Sequence, residues 1–388
     1  MPEPKKIVLL GATGSIGENT LRVIRQHPEK LQLVGIANCR RFRELAAIAE
    51  EFSVRHIAIY DEATAREARN SGLFTNDTQI HSGLDGLVEL ATLDSAELVV
   101  TAVVGTLSLK PTLAAIERGK DIALASKEIL VLAGKFVMAA AQQHGATILP
   151  LDSEHNAIFQ CLQGENLKTV DKLILTASGG PFRDYTAGQM ATITHADALR
   201  HPNWSMGPKI TVDSSTMANK GLELIEAHWL FGQKPANIQV VIHPQSIVHS
   251  MVQYVDGSIL AQLSPPSMTF AIQHTLLYPD RAVGVDNTVD FTQCLNLDFR
   301  PPDFGRFPCL QHAIDAMTIG GIAPAVFNAA NEVAVDAFLQ ESIGYLDIAR
   351  VIEHCLKTTH HFEPDNLDAV LTADAEARST ARACIANL

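Results

Sequence analysis

Short apolar runs alternate with amphipathic segments over the first 150 residues. Six apolar runs lie at residues 7–10, 31–37, 56–60, 98–104, 121–125 and 146–150. Runs of this length, bounded by turns, are typical of buried parallel strands. Helical patterns, such as that of residues 42–52, separate them. Strands that alternate with helices predict an α/β domain with a doubly wound parallel sheet over residues 1–150.

The pattern changes after residue 150. Apolar runs at residues 172–176, 238–242, 246–252 and 259–263 predict four strands among helices, and Asp256-Gly257 is a hairpin turn signal. Residues 151–278 are therefore predicted to form an α+β domain. Residues 279–308 are rich in Pro, Asp and Phe, which predicts a linker, and residues 309–388 have a helical pattern.

Composition narrows the class of protein. The chain has 388 residues, too many for one hydrophobic core, and a net charge of −13, which disfavours nucleic acid and anionic membranes as partners. Its 6 cysteines form no CxxC pair, which suits a reducing cytosol. The apolar run after Lys5 and Lys6 is too short for a signal peptide, and no run is long enough to span a membrane. We expect a cytoplasmic protein.

A glycine-rich segment, Gly11-Ala-Thr-Gly-Ser-Ile-Gly17, follows the first predicted strand. Such a turn presents backbone N–H groups to a pyrophosphate at the start of a helix. The spacing GxxGxxG departs from the usual GxGxxG, and an ordinary tight strand–helix turn is the alternative. Its position after the first strand favours dinucleotide binding.

The second predicted strand ends without a carboxylate. Asn38, Cys39, Arg40 and Arg41 follow it, where an acidic residue would bind the ribose 2′-hydroxyl of NAD(H). A guanidinium there accommodates a 2′-phosphate, so the sequence favours NADP(H). The alternative is two solvated arginines at a helix start.

Carboxylates form a second candidate centre. Asp152 and Glu154 lie two residues apart, so in an extended segment both side chains would point to one side, and Glu223 is a candidate third ligand. Oxygen-only ligands favour Mg²⁺ or Mn²⁺ over Zn²⁺. A helix N-cap with an acidic first turn gives the same local pattern and is the alternative.

Hydroxyl, amide and ammonium groups predict a phosphate site. Ser178-Gly179-Gly180 follows one predicted strand, and Ser214, Ser215, Asn219 and Lys220 are predicted to follow another. These groups near glycine-rich backbone suit a phosphate monoester, although a helix cap at Ser215 or Thr216 is the alternative. Residues 201–207, HPNWSMG, predict a loop that could cover a site.

Seven ordered segments resemble one family. They are GATGSIG, Ala125-Ser-Lys-Glu128, Leu151-Asp-Ser-Glu-His-Asn-Ala157, Ala177-Ser-Gly-Gly-Pro-Phe182, HPNWSMG, VDSSTMANKGLE and Ile242-His-Pro-Gln-Ser-Ile-Val-His249. Together they resemble the 1-deoxy-D-xylulose 5-phosphate reductoisomerases of the non-mevalonate isoprenoid pathway. The resemblance implies a Rossmann-like NADPH-binding domain, a connective catalytic domain, a linker, a C-terminal helical domain and a homodimer.

The resemblance also implies the roles of individual residues. The implied metal ligands are Asp152, Glu154 and Glu223. The implied substrate residues are Ser153, Glu154, Ser178, His201, Trp204, Ser214, Asn219, Lys220 and Glu223. The implied cofactor residues are Thr13, Gly14, Ser15, Ile16, Asn38, Arg40, Arg41, Ser126, Lys127, Glu128 and Gly207. Catalytic roles fall to Lys127, Glu154, His201 and Glu223, and Met268 would lie beneath Trp204.

The expected reaction is a metal-assisted rearrangement of a 2-ketose phosphate followed by reduction with NADPH. Two other classes are alternatives. A semialdehyde dehydrogenase needs a catalytic cysteine near the domain junction, and no cysteine stands in a suitable motif. A non-catalytic NADPH sensor would have no use for the carboxylates and the phosphate site.

Overall fold

The computed structural model describes residues 3–200, 204 and 206–388. His201, one of the predicted catalytic residues, lies outside the described residues. The chain forms two compact units: Met1–Ile129, Val137–Asn156 and Ser267–Thr288 make the first, and Leu130–Phe136, Ala157–Pro266 and Val289–Leu388 make the second. The division into four segments drawn from the sequence, with boundaries after residues 150, 278 and 308, stays a prediction.

A seven-stranded sheet forms the centre of the first unit. Its strands are β1 (Lys5–Leu10), β2 (Leu31–Asn38), β3 (His56–Ile59), β4 (Gln79–Ser82), β5 (Leu98–Thr101), β6 (Asp121–Leu124) and β7 (Ile148–Pro150). They pair in parallel in the order β4-β3-β2-β1-β5-β6-β7. The predicted doubly wound α/β sheet is confirmed.

Helices connect these strands. They are α1 (Ser15–Gln26), α2 (Phe42–Phe52), α3 (Glu62–Asn70), α4 (Gly83–Ala91), α5 (Leu109–Glu117), α6 (Glu128–His144) and α7 (Ser153–Cys161), and α12 (Met268–Leu277) joins the same unit later in the chain. The last four residues of β1 and all of β5 are buried because helices cover both faces of a parallel sheet.

The strand order places the glycine-rich turn at a switch point. β2 and β5 lie on opposite sides of β1, so the chain leaves β1 where successive crossovers turn in different directions. Ligands of open α/β sheets bind outside the carboxyl ends of strands at such a point. The fold thus puts residues 11–17 at the edge of the sheet where ligands of such folds bind.

The second unit combines a small sheet with helices. The strands β8 (Val170–Ala177), β9 (Ile238–Ile242), β10 (Val248–Tyr254) and β11 (Ile259–Leu263) pair in the order β11-β10-β8-β9, with only the β8–β9 pair parallel. Short helices α8 (Ala187–Met190) and α9 (His195–Ala198) precede α10 (Pro208–Thr216) and α11 (Ala218–Phe231). Two 3₁₀ turns lie at Leu167–Thr169 and Pro235–Asn237.

Four helices complete the second unit: α13 (Pro308–Ile319), α14 (Ala323–Leu339), α15 (Asp347–Thr358) and α16 (Leu367–Ile385). Helix α14 is buried on nearly all sides, as expected of a helix that is apolar around its whole circumference. It packs against α15 and α16, while α11 packs against α13 so closely that Gly221 lies beside Ala313. The helices therefore share one core, which includes Leu222, Leu310 and Phe327.

Some sequence predictions of local structure were wrong. No strand is predicted at residues 79–82, because the segment Gln-Ile-His-Ser carries little apolar signal, yet β4 forms there. Residues 214–220 do not follow a strand, since α10 and α11 occupy this region. Among the described helices, none is both long and apolar enough to cross a membrane.

Candidate active site

The glycine-rich turn is built by backbone groups. The N–H groups of Gly11 and Ala12 both donate to the carbonyl of Ala37, each at 2.9 Å, which ties the end of β1 to the end of β2. Gly11 has a φ of +97°, and a Cβ there would overlap the carbonyl of Ala102. A Cβ at Gly17 would overlap the turn itself, so both positions require glycine. Gly14 is the N-cap of α1, whose first N–H groups have no partners within the helix.

Side chains after β2 support this turn. Asn38 is buried and donates its amide N–H to the carbonyl of Arg41 at 2.7 Å. Arg41 donates to the carbonyl of Thr13 and pairs with Glu44 at 3.1 Å. Arg40 instead donates through Nε to Asp61, which follows β3, at 3.2 Å. The predicted cofactor residues of β2 and of the glycine-rich turn are thus joined by hydrogen bonds in the first unit.

A buried ion pair lies at the ends of β6 and β7. Lys127, just before α6, donates to the Asp152 carboxylate at 2.8 Å, and His155 is 3.1 Å from the other oxygen of Asp152. Lys127 is only 5% exposed, so its ammonium depends on this carboxylate for charge compensation. Ser126, also buried, donates to the carbonyl of Thr101. The segment 126–128 is therefore fixed at the carboxyl edge of the sheet.

Asp152 and Glu154 do not lie in an extended segment, so the condition under which both side chains would point to one side of a strand is not met. Helix α7 begins at Ser153, and the N–H of Glu154 donates to the Asp152 carboxylate at 3.1 Å. The alternative of an N-cap with an acidic first turn describes this backbone, because an aspartate side chain accepts from the free N–H groups of a helix start. Ser153 donates its hydroxyl to Glu154. Both carboxylates are half-buried in the first unit.

The junction of α10 and α11 carries the polar groups of the second unit. Met217 joins the helices in the left-handed conformation, with φ +65°, and is buried. Asn219 and Lys220, in the first turn of α11, both donate to the carboxylate of Glu223 one turn later. Lys220 and Glu223 are 4% and 1% exposed, so water cannot screen this pair. An amide, an ammonium and a carboxylate therefore lie on one face of α11.

A second polar loop lies against this junction. Gly179 and Gly180, which follow β8, both have positive φ, and a Cβ on Gly180 would lie 2.8 Å from the carbonyl oxygen of Ser214. The N–H of Gly180 donates to the Ser178 hydroxyl at 3.2 Å. The predicted phosphate residues Ser178 and Ser214 thus come from two segments whose backbones are in contact.

Helices near the end of the chain hold this junction in place. Asp213, 1% exposed, accepts from Asn331 of α14 at 2.9 Å and pairs with Lys209 at 2.8 Å. Tyr345 donates its hydroxyl to the carbonyl of Ser215 at 2.6 Å, and burial raises the pKa of Tyr345 above its ordinary value. Burial also raises the pKa of the Cys309 thiol to about 12, so this cysteine is no nucleophile.

Those supporting residues were missed by the sequence reasoning. Asn331 and Tyr345 stand more than 100 positions from the residues that they hold. The signal that could have found Asn331 is a polar side chain within the apolar stretch of α14, since buried amides need a hydrogen-bond partner.

Two predicted residues of the covering loop are described. Trp204 lies 6.4 Å from His249 between ring centroids, in a T-shaped arrangement. Gly207 is the exposed N-cap of α10. Met268 is the first residue of α12 in the first unit.

Three family models match the chain in order. The model of 1-deoxy-D-xylulose 5-phosphate reductoisomerase matches residues 7–134, the model of that enzyme's C-terminal domain matches residues 148–231, and a DXP reductoisomerase C-terminal domain model matches residues 263–380. The 1-deoxy-D-xylulose 5-phosphate reductoisomerase of Clostridium perfringens is 47% identical over 96% of this chain and 98% of its own length. That of Cellvibrio japonicus is 46% identical over 100% of both chains.

This chain belongs to the 1-deoxy-D-xylulose 5-phosphate reductoisomerase family.

Solved reductoisomerase structures have the same fold. The enzyme of Zymomonas mobilis in complex with NADPH is 43% identical to this chain and superposes on it with a TM-score of 0.93. The match covers 99% of this chain and 100% of that enzyme. A reductoisomerase in complex with NADPH, fosmidomycin and magnesium is 44% identical over 98% of both chains, with a TM-score of 0.92. The resemblance and the fold class inferred from the sequence are confirmed. The roles of individual residues stay predictions, because similarity measured over whole chains does not assign a role to any one residue.

Proposed function

We propose that this reductoisomerase-family chain converts 1-deoxy-D-xylulose 5-phosphate to 2-C-methyl-D-erythritol 4-phosphate for isoprenoid precursor synthesis, using NADPH and Mg²⁺ or Mn²⁺. The observation that carries the proposal is the face of α11. There Asn219 and Lys220, which suit a phosphate, meet Glu223, which suits a divalent cation. The full-length similarity to reductoisomerases supports the choice of substrate.

The proposed metal ligands are Asp152, Glu154 and Glu223, each of which offers a carboxylate oxygen. This donor set fits Mg²⁺ or Mn²⁺, which prefer oxygen ligands. A solved relative contains magnesium, which supports the same choice here. In this structure Lys127 donates to Asp152, Ser153 donates to Glu154, and both Asn219 and Lys220 donate to Glu223.

The proposed phosphate site consists of Ser178, Ser214, Asn219 and Lys220. Three features support it: the buried ammonium of Lys220, the two hydroxyls on touching segments, and the glycine backbone at 179–180. A phosphate bound there would be remote from the reacting carbons. Its binding energy would hold the substrate in register during rearrangement and reduction.

The proposed cofactor residues other than Gly207 belong to the first unit. The N–H groups at Thr13, Gly14, Ser15 and Ile16 would bind the pyrophosphate, and Asn38, Arg40, Arg41, Ser126, Lys127, Glu128 and Gly207 complete the assignment. The switch-point position of the turn and the Zymomonas mobilis enzyme with NADPH support it.

In the proposed reaction, the metal polarises the substrate carbonyl and NADPH supplies the hydride. Lys127, Ser153 and His201 are the proposed residues around the substrate backbone. The ammonium of Lys127 lies 2.8 Å from the Asp152 carboxylate, and its proposed role is that of a hydrogen-bond donor and a positive charge. Trp204, closing over the substrate, would keep water from the reactive aldehyde.

A spectrophotometric assay tests the proposal. Purified protein, 1-deoxy-D-xylulose 5-phosphate, NADPH and Mg²⁺ or Mn²⁺ are combined with and without EDTA, and absorbance at the NADPH band is followed. We expect oxidation that stops with EDTA and is much slower with NADH. Folded protein that binds NADPH but oxidises none with the metal present would contradict the proposal and favour the sensor class.

We further propose a homodimer. β11 is an edge strand, and Ile259 and Leu260 on it are 50% and 42% exposed. An edge strand with exposed apolar side chains is suited to pairing with a second copy. Light scattering that gives the mass of a single chain, 42.0 kDa, at micromolar concentration would contradict this.

We propose a cytoplasmic location. All six cysteines, which lie within the described part of the chain, are free thiols, as is usual where glutathione keeps thiols reduced. Fractionation of the source cells tests this, and recovery with the membrane or the culture medium would contradict it.

A further inference from the structure

Two adjacent arginines after β2 have different partners. One Nη group of Arg41 donates to the carbonyl of Thr13 in the glycine-rich turn, and the other pairs with Glu44 on α2. Both Nη groups of Arg41 therefore already have partners in the protein. Within the described residues the Arg40 side chain makes one hydrogen bond, through Nε to Asp61, and it is 74% exposed. The sequence alone could not separate the two, because either guanidinium could reach a 2′-phosphate.

A cavity of about 340 Å³ lies at the carboxyl ends of β2, β3 and β4. The described residues that line it are Cys39, Arg40, Tyr60, Asp61, Glu62, Gly83 and Leu84, and Arg41 is not among them. The carboxyl edge of a doubly wound sheet is where the ribose of a dinucleotide lies. The cavity therefore offers room for the adenosine end of the cofactor, with Arg40 in its wall.

The geometry of Arg40 leaves donors for an anion. A guanidinium carries five N–H donors, and Asp61 takes one of them through Nε. Asp61 is itself fixed as the N-cap of α3, because its other oxygen accepts from the N–H and the hydroxyl of Thr64 at 2.9 and 2.8 Å. The rigid cap restrains the guanidinium and leaves both Nη groups for a bidentate contact with a phosphate.

We propose that Arg40 is the residue that selects a 2′-phosphorylated dinucleotide and that Arg41 is a positioning residue that braces the glycine-rich turn. Asp61 positions Arg40. The inference rests on the proposed function, since it assigns the basis of NADPH preference within the same cofactor site.

Binding titrations of the full chain test this division. NADPH and NADH are titrated by calorimetry into the wild type, Arg40→Ala and Arg41→Ala, and adenosine 2′,5′-bisphosphate and 5′-AMP serve as fragments. Arg43→Ala is the matched control, because Arg43 is also 74% exposed and pairs weakly with Glu67 at 3.9 Å.

We expect Arg40→Ala to lose about 10- to 100-fold in affinity for NADPH and for the bisphosphate, as for two hydrogen bonds to a charged group. Its NADH affinity should change less than about threefold. Arg41→Ala should weaken both cofactors by a similar factor, and Arg43→Ala should leave both unchanged. If Arg41→Ala does not fold, Arg41→Lys is measured instead, since it keeps the positive charge but loses the guanidinium that contacts both Thr13 and Glu44. It should weaken the binding of NADPH and of NADH by a similar factor.

Loss of NADPH preference in Arg41→Ala or Arg41→Lys, with preference kept in Arg40→Ala, would overturn the division. Preference kept in all variants would overturn it as well. A wild type that binds NADH as tightly as NADPH is a different failure, because it removes the cofactor of the proposed function itself.

Discussion

The glycine-rich turn of the first unit and the α10–α11 junction of the second unit are formed by different kinds of chemical group. The glycine-rich turn in the first unit is formed by backbone N–H groups and carbonyls, and its critical residues, Gly11 and Gly17, have no side chains. The α10–α11 junction in the second unit is formed by buried side chains that bond to one another, such as Lys220 with Glu223 and Asn331 with Asp213.

This difference has a physical reason. A pyrophosphate can be bound by free N–H groups at a helix start, which any sequence with the right turn supplies. A phosphate monoester beside a divalent cation needs fixed charges of both signs, and such charges are costly to bury unless each is paired. Truncation of the non-glycine side chains should therefore be tolerated in the turn, whereas changes of the charged side chains should be costly at the junction.

The largest effect is expected for Glu223→Gln, which removes one carboxylate from the junction. Turnover at saturating metal should fall by about 10²-fold or more, since a preorganised charged group at the reacting centre is lost. NADPH affinity should hold, because the turn does not use this side chain. The control is Asp336→Asn, which replaces an exposed carboxylate of the same unit by an amide. Unchanged turnover in Glu223→Gln would remove Glu223 from the metal ligands.

Gly180→Ala tests whether backbone contact at the junction matters. Its φ of +67° and a Cβ 2.8 Å from the carbonyl oxygen of Ser214 predict a loss of stability of about 2 kcal/mol and a rise in the substrate KM. Gly188→Ala, with nothing within 4 Å of the new Cβ, should stay within about 0.5 kcal/mol. Denaturant unfolding gives both values. Equal stability in the two variants would show that the two segments can separate freely.

Low pH should weaken the first unit through His274. Burial lowers the pKa of His274 from 6.5 to about 4, so the unfolded chain takes up a proton in a range where the folded protein does not. Its contribution to stability is intact above pH 6.5 and is lost as pH falls towards 4, at up to about 1.4 kcal/mol per pH unit.

Replacing this histidine should remove that part of the pH dependence. His274→Gln is expected to flatten the stability profile between pH 6.5 and 4, measured by urea unfolding at each pH. An equally steep profile in the variant would mean that other groups cause it.

The smallest effect is expected for Ser15→Ala in the turn. Ser15 is exposed, and its backbone rather than its hydroxyl takes part in the described hydrogen bonds, accepting from Asn19 at 2.9 Å. NADPH affinity should change by less than about threefold. A loss as large as tenfold would show that the cofactor half also depends on side chains, which would end the contrast between the two halves.

The same contrast explains what could be predicted from the sequence. The turn and the parallel sheet were predicted correctly because they depend on local signals: glycine spacing and the alternation of strands with helices. β4 was missed because its four residues carry one large apolar side chain. The hydrogen bond from Asn331 to Asp213 could not be predicted, since these residues are 118 positions apart and only the packed fold brings them together.

The central claim is that one chain both rearranges and reduces a ketose phosphate, and the product tests it most directly. Protein, ¹³C-labelled 1-deoxy-D-xylulose 5-phosphate, NADPH and Mg²⁺ are incubated and the product is identified by ¹³C NMR. The account predicts a branched methyl tetritol phosphate, formed in equal amount to the NADPH oxidised and only with the metal present. An unbranched pentitol phosphate would contradict it, because the chain would then be a simple reductase.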